Sequence, residues 1–227
     1  MLTPQARTDP GSNHGGPKGD ATRFKRIDEV VAWHAANTPA AECARMEGQA
    51  WTYAHMDGLV QTVSARLREL GLSAGDRVAL LSTPRPEYLL LLMAISRAGG
   101  VYVGLNPRST APELAQVVQR VQPRLILALQ HFEDRDFNTL LNLAARQTTL
   151  PPVLRFDSVP GCVAAIAGLG GLAPASAAPD AATAAALPDT AAIVFTSGTT
   201  GRPKAAMLTH TGLLHAAAVQ HYRLNPF

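Results

Sequence analysis

The chain is poor in cysteine: Cys43 and Cys162 are the only two in 227 residues. They lie far apart and form no C-x-x-C pair, which argues against a disulfide framework and against a cysteine-built zinc site. Two reduced thiols in a cytosolic protein is the simpler reading, so a cytoplasmic location is expected. Long apolar runs are also lacking. The longest strongly apolar run is Tyr88 to Ile95, far short of the ~20 residues that span a bilayer, so no transmembrane segment is expected. The opening MLTPQARTDPGSNHGGPKGD has no apolar core of the kind a secretory signal carries, and no signal peptide is expected. Charge of one sign is scarce too. The net charge is +3 and the sequence pI is near 9.1, with no dense Lys/Arg stripe, so nucleic acid is not an expected partner. An anionic small molecule suits that mild basicity equally well. No internal repeat is present.

What remains is a chain of 47% hydrophobic composition, long enough to bury roughly 70% of its unfolded surface. Residues 1–22, rich in Gly, Pro and polar types, are expected to be a disordered tail. Ile27, Val30, Val31 and His34 then fall at helical spacing, and Pro39 ends that pattern. A second helix is expected after Thr52, with Met56, Val60, Val63, Leu67 and Leu70 on one stripe and Gly71 at the C-terminal cap. Thr52 can cap it, although His55 replaces the acid of a full capping box. Val78 to Leu81 reads as a short buried strand after the Gly75-Asp76 turn. PEYLLLLMAISRAGG is a helix apolar nearly all round, hence buried. VYVGLN follows as a strand. Thr110 and Glu113 form a capping box, with Pro112 in the first turn of the next helix. RLILAL is a third strand, Phe137 to Ala144 a helix, and VLRF a fourth strand. Ala/Gly/Pro-rich sequence over about 161–188 reads as a weakly structured excursion. Strands and helices alternating at short intervals indicate an α/β fold around a largely parallel sheet.

The run IVFTSGTTGRPKAAMLTH, Ile193 to His210, carries the chemistry. TAAIVF reads as a buried strand entering the loop TSGTTGRPK. Gly198 and Gly201 allow left-handed turns and close approach to a ligand. Successive backbone N–H groups in such a turn can form an anion nest. Thr196, Ser197, Thr199 and Thr200 add hydroxyl donors, and Lys204 adds a compact cation suited to phosphate. Each bond to a charged oxygen contributes about 1.5–3 kcal/mol, enough in sum to hold a polyphosphate but not to select a base. The spacing excludes a Walker A loop: the second glycine comes too early, Pro203 precedes the lysine, and Ala205 stands where a Mg2+-binding hydroxyl belongs. AAMLTH then reads as a strand and Thr209 as the cap of a helix through TGLLHAAAVQ, so the loop joins strand to strand. An ordinary Gly/Thr loop is the competing reading of the run taken alone. His34, His55, His131 and His215 are scattered and pair with no carboxylate or cysteine, so surface or helix-face positions are expected; a local structural role is expected for His210.

From Ile193 to Lys204 every position fits the AMP-binding signature, and the chain resembles the adenylate-forming superfamily of acyl-CoA synthetases, peptide-synthetase adenylation domains and luciferases. WTYAHMDGLVQTVSARLRELGLSAGDRVALL is similar to the family's opening helix and first strand. PEYLLLLMAISRAGGVYVGLNPRSTAPELAQVVQRVQPRLILA is similar to its next block. The likeness runs from about Ile27 to Tyr222. LNPRST resembles the acyl-CoA synthetase branch, since peptide synthetases usually carry Asp where Asn106 stands. Ala205-Ala206 replaces the usual Gly-Val, and Pro84 a common Asn.

The resemblance implies a truncated N-terminal adenylation domain over residues 23–227. It implies a two-step reaction: a fatty or aromatic carboxylic acid attacks the α-phosphate of ATP with Mg2+, releasing pyrophosphate, and CoA then displaces AMP. Thr196, Ser197, Gly198, Thr199, Thr200, Gly201 and Lys204 would hold the β- and γ-phosphates. Family members continue beyond HYRLNPF, and the acid pocket, the adenine pocket, the metal ligand and the catalytic lysine are expected in a missing C-terminal half. No catalytic residue is assigned here, and Lys204 is not that lysine. The chain alone is expected to be inactive. Two alternatives are a non-catalytic ATP-binding or regulatory module and, more distantly, a P-loop NTPase or kinase.

Overall fold

Start and stop signals in the sequence set most of the element boundaries. The computed structural model describes residues 23–172, 189–196 and 204–224. The expected tail at 1–22 and most of the Ala/Gly/Pro-rich excursion lie outside these residues. Helix α1 (Asp28–Asn37) leads to a hairpin of β1 (Glu42–Met46) and β2 (Gln49–Thr52). Helix α2 (Tyr53–Glu69) follows directly, and its first turn is capped by Thr52 Oγ1, which accepts from the His55 N–H at 3.3 Å. It ends at Gly71 with φ +91°, and Leu72 N–H donates back to Leu67 O at 3.0 Å. This is the six-to-one closure that a left-handed glycine permits. Met56, Val60, Val63, Leu67 and Leu70 are all buried.

Strand β3 (Arg77–Leu81), helix α3 (Pro86–Arg97), strand β4 (Val101–Leu105), helix α4 (Ala111–Val121) and strand β5 (Leu125–Leu129) form the centre. The Thr110–Glu113 capping box starts α4 as its sequence demands. Two short strands, β6 (His131–Phe132) and β7 (Arg135–Asp136), make a small hairpin before α5 (Phe137–Ala145). Then come β8 (Val153–Phe156), α6 (Val159–Ala167), β9 (Thr190–Thr196), β10 (Lys204–Thr209) and α7 (His210–Leu224).

The main sheet has the order β10-β9-β4-β3-β5-β8. All neighbours are parallel except β9 and β10, which are antiparallel. The fold is therefore α/β with a largely parallel sheet, as the alternation indicates. All of β3 and β5 is buried, consistent with a sheet covered on both faces. From β3 the chain steps to β4, then returns past β3 to β5. Right-handed crossovers place the connections α3 and α4 on opposite faces. Contacts agree: α4 packs on α5, whereas α2 packs on α1, α3 and α6.

One expectation is corrected. The Ala/Gly-rich stretch from residue 161 does not begin as a weakly structured excursion. Through Ala167 it is the body of α6. Ser158 Oγ accepts from Gly161 N–H at 3.2 Å, and Pro160 occupies the first turn. Val159, Cys162 and Ile166, at i, i+3 and i+7, are buried against the main core. Ala164 and Ala167 face outward, Gly161 and Ala165 are half-buried, and this run of small residues hid the periodicity.

Candidate functional site

In an open α/β sheet, ligands bind beyond the carboxyl ends of the strands, where adjacent strands send their connections to opposite faces. Here the strand order reverses between β3 and β5, with β4 on the other side of β3. Ser82 and Thr83 leave β3 there, both buried, with Ser82 Oγ donating to Thr83 O at 3.1 Å. Asn106 leaves β4, and its Oδ1 accepts from Arg108 N–H at 2.9 Å. Ser109 N–H donates to Asn106 O at 3.0 Å. These bonds make Asn106-Pro107 the tight turn expected from the sequence.

Strand β9 runs parallel to β4 on its outer side, so its carboxyl end, Thr196, reaches the same edge. Tyr102, Val103 and Gly104 pair with Ala192, Ile193 and Val194. Strand β10 returns antiparallel from that edge with Lys204 opposite Thr196. The structure thus brings Thr196 and Lys204 together as the two posts of one loop, and the loop joins strand to strand. Ser197, Gly198, Thr199, Thr200 and Gly201 lie outside the described residues. The Lys204 side chain is exposed at the edge.

Other charges near this edge are tied to structure. Arg85 pairs with buried Glu87, Nε to Oε2 at 3.3 Å, and its Nη2 donates to Asp157 O at 3.2 Å. Arg135 Nη2 donates to Ser109 O at 2.9 Å, bracing the turn after β4. The histidines do not gather at the loop, but His131, expected to pair with no carboxylate, has its Nε2 3.8 Å from Asp136 Oδ1 across the β6–β7 hairpin. His55, His131 and His215 are exposed, and His34 stacks on Tyr53 with ring centroids 4.4 Å apart. Burial holds the His34 imidazole below its usual range. His210 is nearly fully buried, with Nδ1 accepting from Ile27 N–H at 3.3 Å. Burial lowers its pKa first, and the nearby Arg26 cation lowers it further. Cys43 and Cys162 are free thiols, and burial raises both, to about 11 and about 12. Neither is poised as a thiolate nucleophile. Among the described residues, no three or more His, Cys, Asp or Glu side chains gather to hold a metal, and no helix is long and apolar enough to cross a membrane.

Such a site can hold an anion at an exposed edge. It contains no acid–base pair among the described residues. Spacing in the sequence pointed to the loop, whereas Ser82 and Thr83 carry no local motif; only strand order brings them to the same edge.

The AMP-binding enzyme pattern matches residues 31–226. The chain belongs to the AMP-binding enzyme family. Among curated AMP-binding relatives, the hybrid PKS-NRPS synthetase mpsA of Macrophomina phaseolina is 31% identical over 194 residues, covering 86% of this chain and 4% of that protein. The nonribosomal peptide synthetase ungA of Aspergillus violaceofuscus is 30% identical over 197 residues, 87% of this chain and 2% of that protein. The chain therefore spans a small fraction of the curated relatives it matches. Among solved structures, VinN superposes with a TM-score of 0.67 at 25% identity, over 88% of this chain and 47% of VinN. A Mycobacterium tuberculosis fatty acyl CoA synthetase superposes at 0.61 with 24% identity, over 82% of this chain and 35% of that one; this likeness shows the fold. Both the α/β architecture and the adenylate-forming membership implied by the signature are thus established.

Proposed function

We propose that residues 23–227 are the N-terminal part of an adenylation domain and that the β9–β10 loop holds the pyrophosphate end of ATP. The observation that carries this reading is the register of the hairpin: Thr196 and Lys204 face each other at the carboxyl edge of the sheet. Thr196, Ser197, Gly198, Thr199, Thr200 and Gly201 supply hydroxyls and backbone N–H groups to the β- and γ-phosphates, and Lys204 supplies the charge. In the longer protein a carboxylate attacks the α-phosphate, forming an acyl-adenylate as the bond to pyrophosphate breaks. The loop's contribution is to fix the leaving group and to stabilise the charge that develops on it.

Magnesium does not fit a protein cage built from the described residues, since none gathers three candidate ligands. In this reading Mg2+ arrives on the nucleotide phosphates, a common mode for this ion, and no step is assigned to it.

For the second half-reaction we favour a fatty or aromatic acid with CoA as acceptor, acting in the cytoplasm. Support comes from the LNPRST turn. A second reading is activation of an amino acid for a carrier domain, favoured by the PKS-NRPS and NRPS relatives. Asn106 cannot decide between them by itself, because Asp would accept the same bond from Arg108 N–H. Carboxylate-dependent ATP–pyrophosphate exchange by the longer protein tests activation, using fatty, aromatic and amino acids. Exchange with fatty or aromatic acids followed by CoA thioester formation supports the first reading. Exchange with amino acids alone supports the second, and no exchange with any acid overturns both.

A further inference from the structure

The hairpin that carries Lys204 is weakly specified at its outer strand. β10 lies at the end of the sheet, is hydrogen-bonded to β9, and has no fully buried residue on either face. A strand of that kind can slip, and a slip of one residue sends every side chain to the opposite face. Its pairing already shifts between Leu208 and Thr209. His210 follows Thr209, the first residue beyond the shift. Its N–H donates to Asp189 O at 2.9 Å, which continues the hairpin ladder past Thr209 and Thr190. Its Nδ1 accepts from Ile27 N–H at 3.3 Å, which ties it to the start of α1, far away in sequence. Ile27, Ala191 and Leu214 form a small apolar cluster around this point, separate from the main core. Arg26 and Asp28, on either side of Ile27, are themselves held: Arg26 donates to Ser96 O, and Asp28 pairs with Arg26 and Arg97.

We propose that His210 is a positioning residue that pins the register of β10 and so holds Lys204 opposite Thr196 at the mouth of the loop. This rests on the phosphate-binding reading above. The pin requires an unprotonated Nδ1, hence a neutral imidazole with its proton on Nε2. Arg26, Asp28 and Glu29 on the α1 side, and Asp189 ahead of β9, are the charged groups facing the ring. Burial and Arg26 outweigh the three acids, so the fold favours the neutral ring. Because its folded pKa lies below 6.5, the pin is complete above pH 6.5 and is lost as the pH falls further.

The test compares the 227-residue chain with His210→Asn, whose Oδ1 can replace Nδ1 as acceptor, and with His210→Leu. Amide exchange protection at Ile27 and along β10 is measured from pH 5 to 8, and magnesium pyrophosphate is titrated over the same range. His210→Leu should lose protection at every pH and weaken pyrophosphate binding by up to about fivefold, the whole of what the Lys204 charge contributes at an exposed edge. His210→Asn should restore both and show a flat pH profile, while the parent loses both together as pH falls below 6.5. Unchanged protection in His210→Leu overturns the proposal. So does lost protection with unchanged pyrophosphate affinity. If His210→Leu does not fold, a parent profile as flat as that of His210→Asn overturns it. If the parent binds no pyrophosphate at any pH, the phosphate reading fails, and the exchange data alone decide the pin.

Discussion

Replacing Arg97 with leucine should strip the partner from a charge buried among three helices. Asp57 on α2 is 8% exposed, and its Oδ1 lies 2.8 Å from Arg97 Nη2 as an ion contact. Its Oδ2 accepts from Gln61 Nε2 at 2.6 Å. Asp28 at the start of α1 is 6% exposed and lies 3.6 Å from Arg97 Nε, but it keeps Arg26 at 3.1 Å. Arg97 also donates from Nη2 to Asp28 O at 3.2 Å. The variant therefore leaves Asp57 with one bond from a neutral amide, while Asp28 retains a cation. Removing one partner of a buried pair costs about 3–5 kcal/mol. The surviving Gln61 bond sets the expectation at the lower end, about 3 kcal/mol. With a urea slope of about 1–3 kcal/mol per molar, the unfolding midpoint should fall by about 1–3 M. The double variant Arg97→Leu with Asp57→Leu should recover most of the loss, because the orphaned charge goes with it. A single variant that loses under about 1 kcal/mol, or a double variant no more stable than the single, would refute the reasoning.

Ile166→Ala should cost about 2–5 kcal/mol in urea unfolding, since Ile166 is buried on α6; a loss under about 0.5 kcal/mol, the range of surface substitutions, would mean α6 does not pack as described. Gly100→Ala should cost about 1–3 kcal/mol through overpacking, because a Cβ there would meet Asp76 O and Ile95 Cγ2 at 3.1 Å and Leu72 Cδ2 at 3.2 Å. Asp76 O already accepts from Val101 N–H at 2.8 Å and cannot retreat without loosening the start of β4; unchanged thermal unfolding would contradict this.

The central elements were legible because each carries its own boundary signals. Thr52 and Gly71 bracket α2, Thr110 and Glu113 start α4, and unbroken apolar runs mark β3 and β5. The strand-to-strand character of the loop was legible too, from the short apolar runs ahead of Thr196 and after Lys204. Two hairpins and one helix were not. The β1–β2 hairpin is mostly exposed and turns through Glu47 and Gly48, at φ 50° and 81°. Its one cue was the glycine, because a non-glycine residue at positive φ has no clear sequence mark. The two-residue strands β6 and β7 are too short for periodicity. α6 hides behind alanine and glycine. The role of His210 needed three dimensions, since its partner Ile27 is 183 positions away.

Isothermal titration of the chain with magnesium pyrophosphate tests the central claim most directly. The account predicts saturable binding of pyrophosphate and none of AMP, which lacks the phosphates that the loop is proposed to hold. Lys204→Gln should weaken pyrophosphate binding about fivefold, the effect of ~1 kcal/mol for a charge at an exposed edge. No heat at millimolar magnesium pyrophosphate, or equal affinity in Lys204→Gln, would contradict it.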